Sequence, residues 1–209
     1  MRNPYKYYGI DISHWNGSID FDLVKKSGVS FVIIKAGGSD YKLYKDSKFE
    51  TYYKNAKNAG LAVGAYYFVG PNFLGSKNGL ADSERFRNIL GSKTFDFPVY
   101  LDLESTDPKN KNLATEASIA FLNNLEDHGW FAGIYASAVS GFQMRLDDSK
   151  LDKYTHWVAD YSGRVDYNGS YAVHQYTSHG AIPGVRGYVD FDKSNTMFNI
   201  IKNKHFNNF

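Results

Sequence analysis

Asp102 and Glu104 close the run Pro98-Val99-Tyr100-Leu101-Asp102-Leu103-Glu104. Its last five positions alternate apolar and polar residues, the period of a β-strand. Residues two apart on a strand share a face, so the two carboxyls project side by side just before the loop Ser105-Thr106-Asp107-Pro108. Two like charges held this close do not both ionise at their ordinary pKa, and one proton is retained near neutral pH. A retained proton beside a fixed negative charge is what glycosidase chemistry uses. The pair by itself is equally an acidic, solvated strand end, because structural carboxylates also cluster.

The elements that position this pair read as alternating strands and helices. Strands are expected at 9–13, 31–37, 61–69, 98–104, 131–137, 156–161, 172–177 and 187–192, each short, rich in β-branched or aromatic residues, and bounded by Gly, Pro, Asn or Asp. Helices are expected at 46–59, 76–90 and 115–128, each ending before a glycine. The β-α-β alternation implies parallel strands with crossover helices. The connections 162–171 and 178–186 are too short and too polar for a helix, so the last strands should pair antiparallel, at least in part. Eight strands with about five βα units and three plain strands make an α/β, modified TIM-like barrel. In such barrels chemistry collects at the C-terminal strand ends. Those ends hold Asp11, Ser13, Lys35, Tyr66, Tyr67, Asp102, Glu104, Tyr135, Trp157, Asp160, Tyr161, Gln175, Asp190 and Asp192. Residues 1–200 are expected to form one domain, with 201–209 a polar tail and the possible start of a linker.

Bulk composition narrows the function. The 209 residues carry 24 Lys and Arg against 22 Asp and Glu, with no basic block, which argues against a nucleic-acid partner. Cysteine is absent, so neither disulfides nor thiolate metal sites hold the fold. No apolar run approaches a membrane span, and no apolar segment behind Arg2 and Lys6 reads as a signal peptide. Synthesis in a cytoplasm is expected, with release by some other agent if the protein acts outside. The 17 Tyr and 15 Phe fit sugar stacking or a Tyr-rich core equally well.

The chain resembles family 25 of the glycoside hydrolases, the lysozymes of phage lysins and bacterial autolysins. The matching pieces are Gly9-Ile10-Asp11-Ile12-Ser13, Gly64-Ala65-Tyr66-Tyr67-Phe68, Leu101-Asp102-Leu103-Glu104, Trp157-Val158-Ala159-Asp160-Tyr161, His174-Gln175-Tyr176 and Gly187-Tyr188-Val189-Asp190-Phe191. Together they span nearly the whole chain. The resemblance implies a (β/α)5(β)3 barrel that hydrolyses the β-1,4 bond between N-acetylmuramic acid and N-acetylglucosamine. It implies Glu104 as general acid, Asp102 as its partner, and Asp11 and Asp190 completing an acidic floor. Tyr66, Tyr67, Tyr135, Trp157, Gln175 and Lys35 would shape sugar subsites. It further implies bacterial peptidoglycan as the partner, action at the cell wall after holin-type release, a monomeric catalytic domain, and no membrane insertion. Two places depart from the pattern: Tyr67 stands where relatives often carry His, and Lys35-Ala36-Gly37-Gly38 lacks the Thr or Ser and the Glu common after the lysine.

Rival readings remain. Asp11, His14, Asp102, Glu104 and Asp190 could in principle hold a divalent cation, but no His-x-His or His-Glu-x-x-His spacing accompanies them, and neither metal nor cofactor is expected. A lone His14 is more often a loop or packing residue. Asp190 is favoured over Asp192, which shares its strand face. A non-catalytic wall-binding module would keep the aromatics without needing the carboxyl pair, and a chitinase-like or glucosaminidase barrel would keep the chemistry on another polymer.

Overall fold

The computed structural model describes residues 5–209. Nine strands are present: β1 (Tyr7–Ile12), β2 (Phe31–Gly38), β3 (Tyr44–Lys45), β4 (Ala62–Val69), β5 (Val99–Leu103), β6 (Ala132–Ser137), β7 (Thr155–Ala159), β8 (Val173–Gly180) and β9 (Val189–Ser194). All but β3 form a closed wall in the order β1-β2-β4-β5-β6-β7-β8-β9, with β9 returning to β1. Helices α1 (Phe21–Lys26), α2 (Phe49–Asn58), α3 (Gly75–Leu90) and α4 (Lys111–Asp127) cover the first part of this wall. A π-helical turn, Ala138–Gln143, stands where a helix would follow β6. Strands β7, β8 and β9 have no covering helix of their own, and α5 (Ile200–Asn203) lies beyond them. This is the expected barrel of five βα units and three further strands.

Strand direction differs from expectation in one place. β7 and β8 pair in parallel, and within the closed wall only β9 runs antiparallel, against both β8 and β1. A parallel return needs length rather than a helix. Residues 160–172 supply that length as an irregular loop, pinned where Asp160 accepts from the Ser162 and Asp166 amides. The Tyr167 hydroxyl pins it again by donating to Asp148.

Two elements carry little sequence signal. β3 is only two residues long, too short to show a period. It pairs with Gly37 and Gly38 of β2, where a Cβ on Gly38 would lie 2.6 Å from the Phe68 carbonyl and 2.8 Å from the Tyr44 hydroxyl. α1 spans under two turns and starts where Asp20 Oδ1 accepts from the amides of Asp22 and Leu23.

Alternation sorts the apolar residues into two shells. Phe31, Ile33, Phe97, Tyr100, Tyr135, Trp157 and Val173 fill the barrel interior, while a larger shell packs between the wall and the helices. Interior rings need open wall beside them: a Cβ on Gly9 would sit 2.2 Å from the Phe31 ring, and one on Gly133 would sit 2.5 Å from that of Tyr100. Residues 201–209, expected as a polar tail, dock against the base. Buried Asn207 accepts from the Phe131 amide and donates to the carbonyls of Phe95 and Phe97. Phe206 packs edge-on against Phe131.

Candidate active site

The C-terminal ends of the parallel strands face one mouth. Asp11, Tyr66, Asp102, Glu104, Tyr135, Trp157, Tyr161, Gln175 and Asp190 line a pocket of about 160 Å³ there. Asp190 joins them although β9 runs the other way. Because β9 descends, its second residue lies at the mouth, in register with Asp11, and Asp192 lies one step deeper, opposite Gly9.

Asp102 is buried and Glu104 reaches solvent above it. The two carboxyls act on each other electrically, the charge of Glu104 disfavouring ionisation of Asp102. Both are held above the usual carboxylate range. For Asp102 the cause is loss of solvent, then the charge of Glu104, with Lys35 opposing. For Glu104 it is again loss of solvent, because the side chain stands among many protein atoms despite its open end. Interaction with Asp102 and the charges of Lys35 and Arg145 pull the other way. Crowding by neighbouring carboxylates, the expected cause, acts on Asp102 and Asp190 rather than on Glu104. Among the described residues no N–H or hydroxyl donates to Asp102 Oδ1.

A second carboxyl group of three forms the opposite side. Asp11 Oδ2 accepts from Gln175 Nε2 at 2.7 Å. Gln175 Oε1 accepts from the hydroxyls of Tyr135 at 2.8 Å and Tyr161 at 2.6 Å. Asp192 is wholly buried, and its Oδ1 accepts from Trp157 Nε1 at 2.8 Å. Burial first, then Asp192 and Asp190, raise the Asp11 carboxyl well above its ordinary value. Burial likewise raises Asp192. Burial and then the charge of Glu104 bring Asp190 up to about 6.

Two expected residues stand elsewhere. Tyr67 is a correction: Tyr66 points into the barrel, so its neighbour points out. The Tyr67 ring packs between Phe86 and Phe121 under α3 and α4, and its hydroxyl reaches Asp82. Lys35 points inward but stands behind the pocket wall, its Nζ 4.3 Å from the Phe68 ring centroid. There its charge acts on both Asp102 and Glu104.

Three further residues take part, each given no site role by the sequence. Tyr161 sits in a recognised motif, yet its bond to Gln175 was not legible. Arg145 lies beyond the π-helical turn and is held by the Thr106 carbonyl at 2.7 Å. No local pattern points to it. Asp192 was set aside in favour of Asp190, whereas both belong to the cluster. His14 pairs through Nδ1 with buried Asp46 at 2.7 Å.

The chain as a whole is similar to known proteins. A crystal structure of the CTP1L endolysin superposes with a TM-score of 0.81 at 28% identity, covering 96% of this chain and 70% of that one. The bacterial lysozyme of Streptomyces coelicolor superposes with a TM-score of 0.75 at 28% identity, covering 93% and 94%. In sequence, the chain is 30% identical over 186 residues to an autolytic lysozyme of Clostridium acetobutylicum. The match takes in 88% of this chain but 55% of that relative, so the chain spans about half of its length. Residues 10–185, which include every carboxylate of the pocket except Asp190, match the model of the glycosyl hydrolases family 25, and the chain belongs to that family.

Proposed function

We propose that this chain hydrolyses bacterial peptidoglycan at the β-1,4 bond between N-acetylmuramic acid and N-acetylglucosamine. Glu104 acts as general acid and Asp102 assists. The observation that carries this reading is that Asp102 and Glu104 line one pocket at the mouth, buried Asp102 beneath solvent-reaching Glu104, both held above the usual carboxylate range. A general acid must keep a proton at working pH, and Glu104, raised by desolvation, is the carboxyl of the pair that reaches solvent. Bacterial lysozymes and an autolysin among its relatives favour cell wall over chitin as the polymer. The same reading places the protein at the bacterial wall, with peptidoglycan as its partner.

The second step follows from where the two carboxyls stand. A retaining glycosidase with a protein nucleophile sets its carboxyls on opposite sides of the bond, about 5–5.5 Å apart. Asp102 near the end of β5 and Glu104 just past it line the same pocket. Attack by Asp102 from the far side of the sugar is awkward from there. Its Oδ1, buried without a donor, suits the N–H of the substrate's own 2-acetamido group. The acetamido oxygen then attacks the anomeric carbon as the leaving oxygen takes the proton of Glu104. Water, deprotonated by Glu104, opens the ring so formed, with configuration retained. Asp11 and Asp190 face this centre from the β1–β9 side.

Mass spectrometry of fragments from digested peptidoglycan tests the bond. Fragments with N-acetylmuramic acid at the reducing end are expected. Ends in N-acetylglucosamine, or free stem peptides with intact glycan, would overturn the assignment. NMR of the first-formed anomer tests the mechanism, and an inverted product would exclude the acetamido route.

A further inference from the structure

Trp15 is 83% exposed, and the loop that carries it is rigidly framed. Ser13 Oγ accepts from the Trp15 amide, and Asn16 Oδ1 accepts from the Ser13 amide, a reciprocal cap across the turn His14–Asn16. Buried Asp46 accepts from both the His14 amide and its Nδ1. Tyr52 donates to the Gly17 carbonyl at 2.6 Å. The His14 ring backs the indole, with centroids 4.5 Å apart. Nothing among these bonds needs a large apolar ring pointing into water, where its surface is unfavourable.

The position of the loop supplies a use. Asn16 Nδ2 donates to the Tyr188 carbonyl, two residues before Asp190. Tyr188 is itself 68% exposed, with the His179 ring 5.3 Å away. The Trp15 loop is therefore tied to the Tyr188 backbone near the β1–β9 edge of the acidic pocket, and neither ring is part of its lining. A pyranose offers a face of C–H bonds, and the electron-rich face of an indole attracts such positive edges. A ring already held in place binds without the cost of ordering it.

We propose that Trp15, on the loop bonded to the Tyr188 carbonyl, is an outer platform for a further pyranose of a glycan strand whose scissile bond lies in the acidic pocket. This rests on the glycan-hydrolase reading above. The platform gives the protein a preference for long strands over short oligosaccharides.

The three tryptophans make the test selective. Trp130 and Trp157 are only 5% and 1% exposed, so quenching by acrylamide reports Trp15. The probe is peptide-free peptidoglycan glycan, sorted into disaccharides and long strands, added to the whole chain carrying Glu104→Gln. Long strands should shield Trp15 from acrylamide, and disaccharides should not. In the otherwise unaltered enzyme, Trp15→Ala should raise KM for long strands roughly fivefold to tenfold, with Trp15→Phe restoring part of the loss. Unchanged quenching with long strands that the wild-type chain cleaves would overturn the platform and leave the hydrolase reading standing. Shielding of Trp15 by strands that the wild-type chain does not cleave would overturn the hydrolase reading, and with it the platform as part of a cleavage site.

Discussion

Gln175 Nε2 donates to Asp11 Oδ2 at 2.7 Å, across the interior from β8 to β1. The amide cannot turn over, because Tyr135 and Tyr161 both donate to its oxygen. Gln175 thus supplies a side-chain donor that opposes the rise of the Asp11 carboxyl. Gln175→Leu should leave a buried carboxyl and two hydroxyls without their partner. A loss of about 1–3 kcal/mol is expected in urea unfolding, together with a drop in activity. Full activity in a folded variant would remove Gln175 from the site.

Glu104→Gln keeps the size of the side chain but has no proton to deliver. Turnover of cell-wall suspensions should fall on the order of 10²–10⁴-fold. Binding of glycan strands by the same variant, followed by sedimentation, should persist. A folded variant with near-native turnover would reassign the acid.

Tyr66 and Tyr67 are adjacent, yet only Tyr66 lines the pocket. Tyr66→Ala should weaken turnover of glycan. Tyr67→Phe removes only a long hydrogen bond to Asp82, 3.4 Å, on the helix side of the wall. Its activity should match wild type, with stability within about 1 kcal/mol. Equal damage from both changes would contradict the alternation.

Activity should fall as pH rises through the raised pKa of Glu104, because the acid must be protonated. A rate that climbs steadily into alkaline solution would contradict this.

Stability should share that direction. Asp11, Asp102, Asp190 and Asp192 all have folded values above the ordinary one, so the folded state binds more protons than the unfolded. Their contribution is full below the unfolded value near ~4 and is lost as pH rises through the folded values, about 6 for Asp190. Asp96, lowered by Lys202 and Lys57 against its own burial, works the other way and loses its contribution in acid below ~4. Thermal unfolding at a series of pH values should therefore show Tm falling from pH ~5 to ~7. Asp192→Asn keeps an acceptor for Trp157, removes one titrating group, and should flatten the fall. An equally steep fall in that variant would exclude Asp192 as a contributor.

Local pattern determined much of this protein. Short β-branched or aromatic runs bounded by Gly, Pro, Asn or Asp placed all eight wall strands, and the spacing of Asp102 and Glu104 put both carboxyls on one face before any neighbour was known. Glycines after the last helical residues marked where α2, α3 and α4 stop. Identities of motif residues then singled out Asp11, Gln175 and Asp190. Tertiary structure decided what depends on which strands become neighbours. The direction of β8 was set by how residues 160–172 fold back, and their composition alone pointed the wrong way. Asp192 entered the acidic cluster because β9 descends beside β1, a pairing between residues far apart in the chain. Arg145 acts on Glu104 only because the segment after β6 returns over the mouth. The alternation that served the strands also bore on Tyr67, whose outward face only the positions of α3 and α4 made into a core.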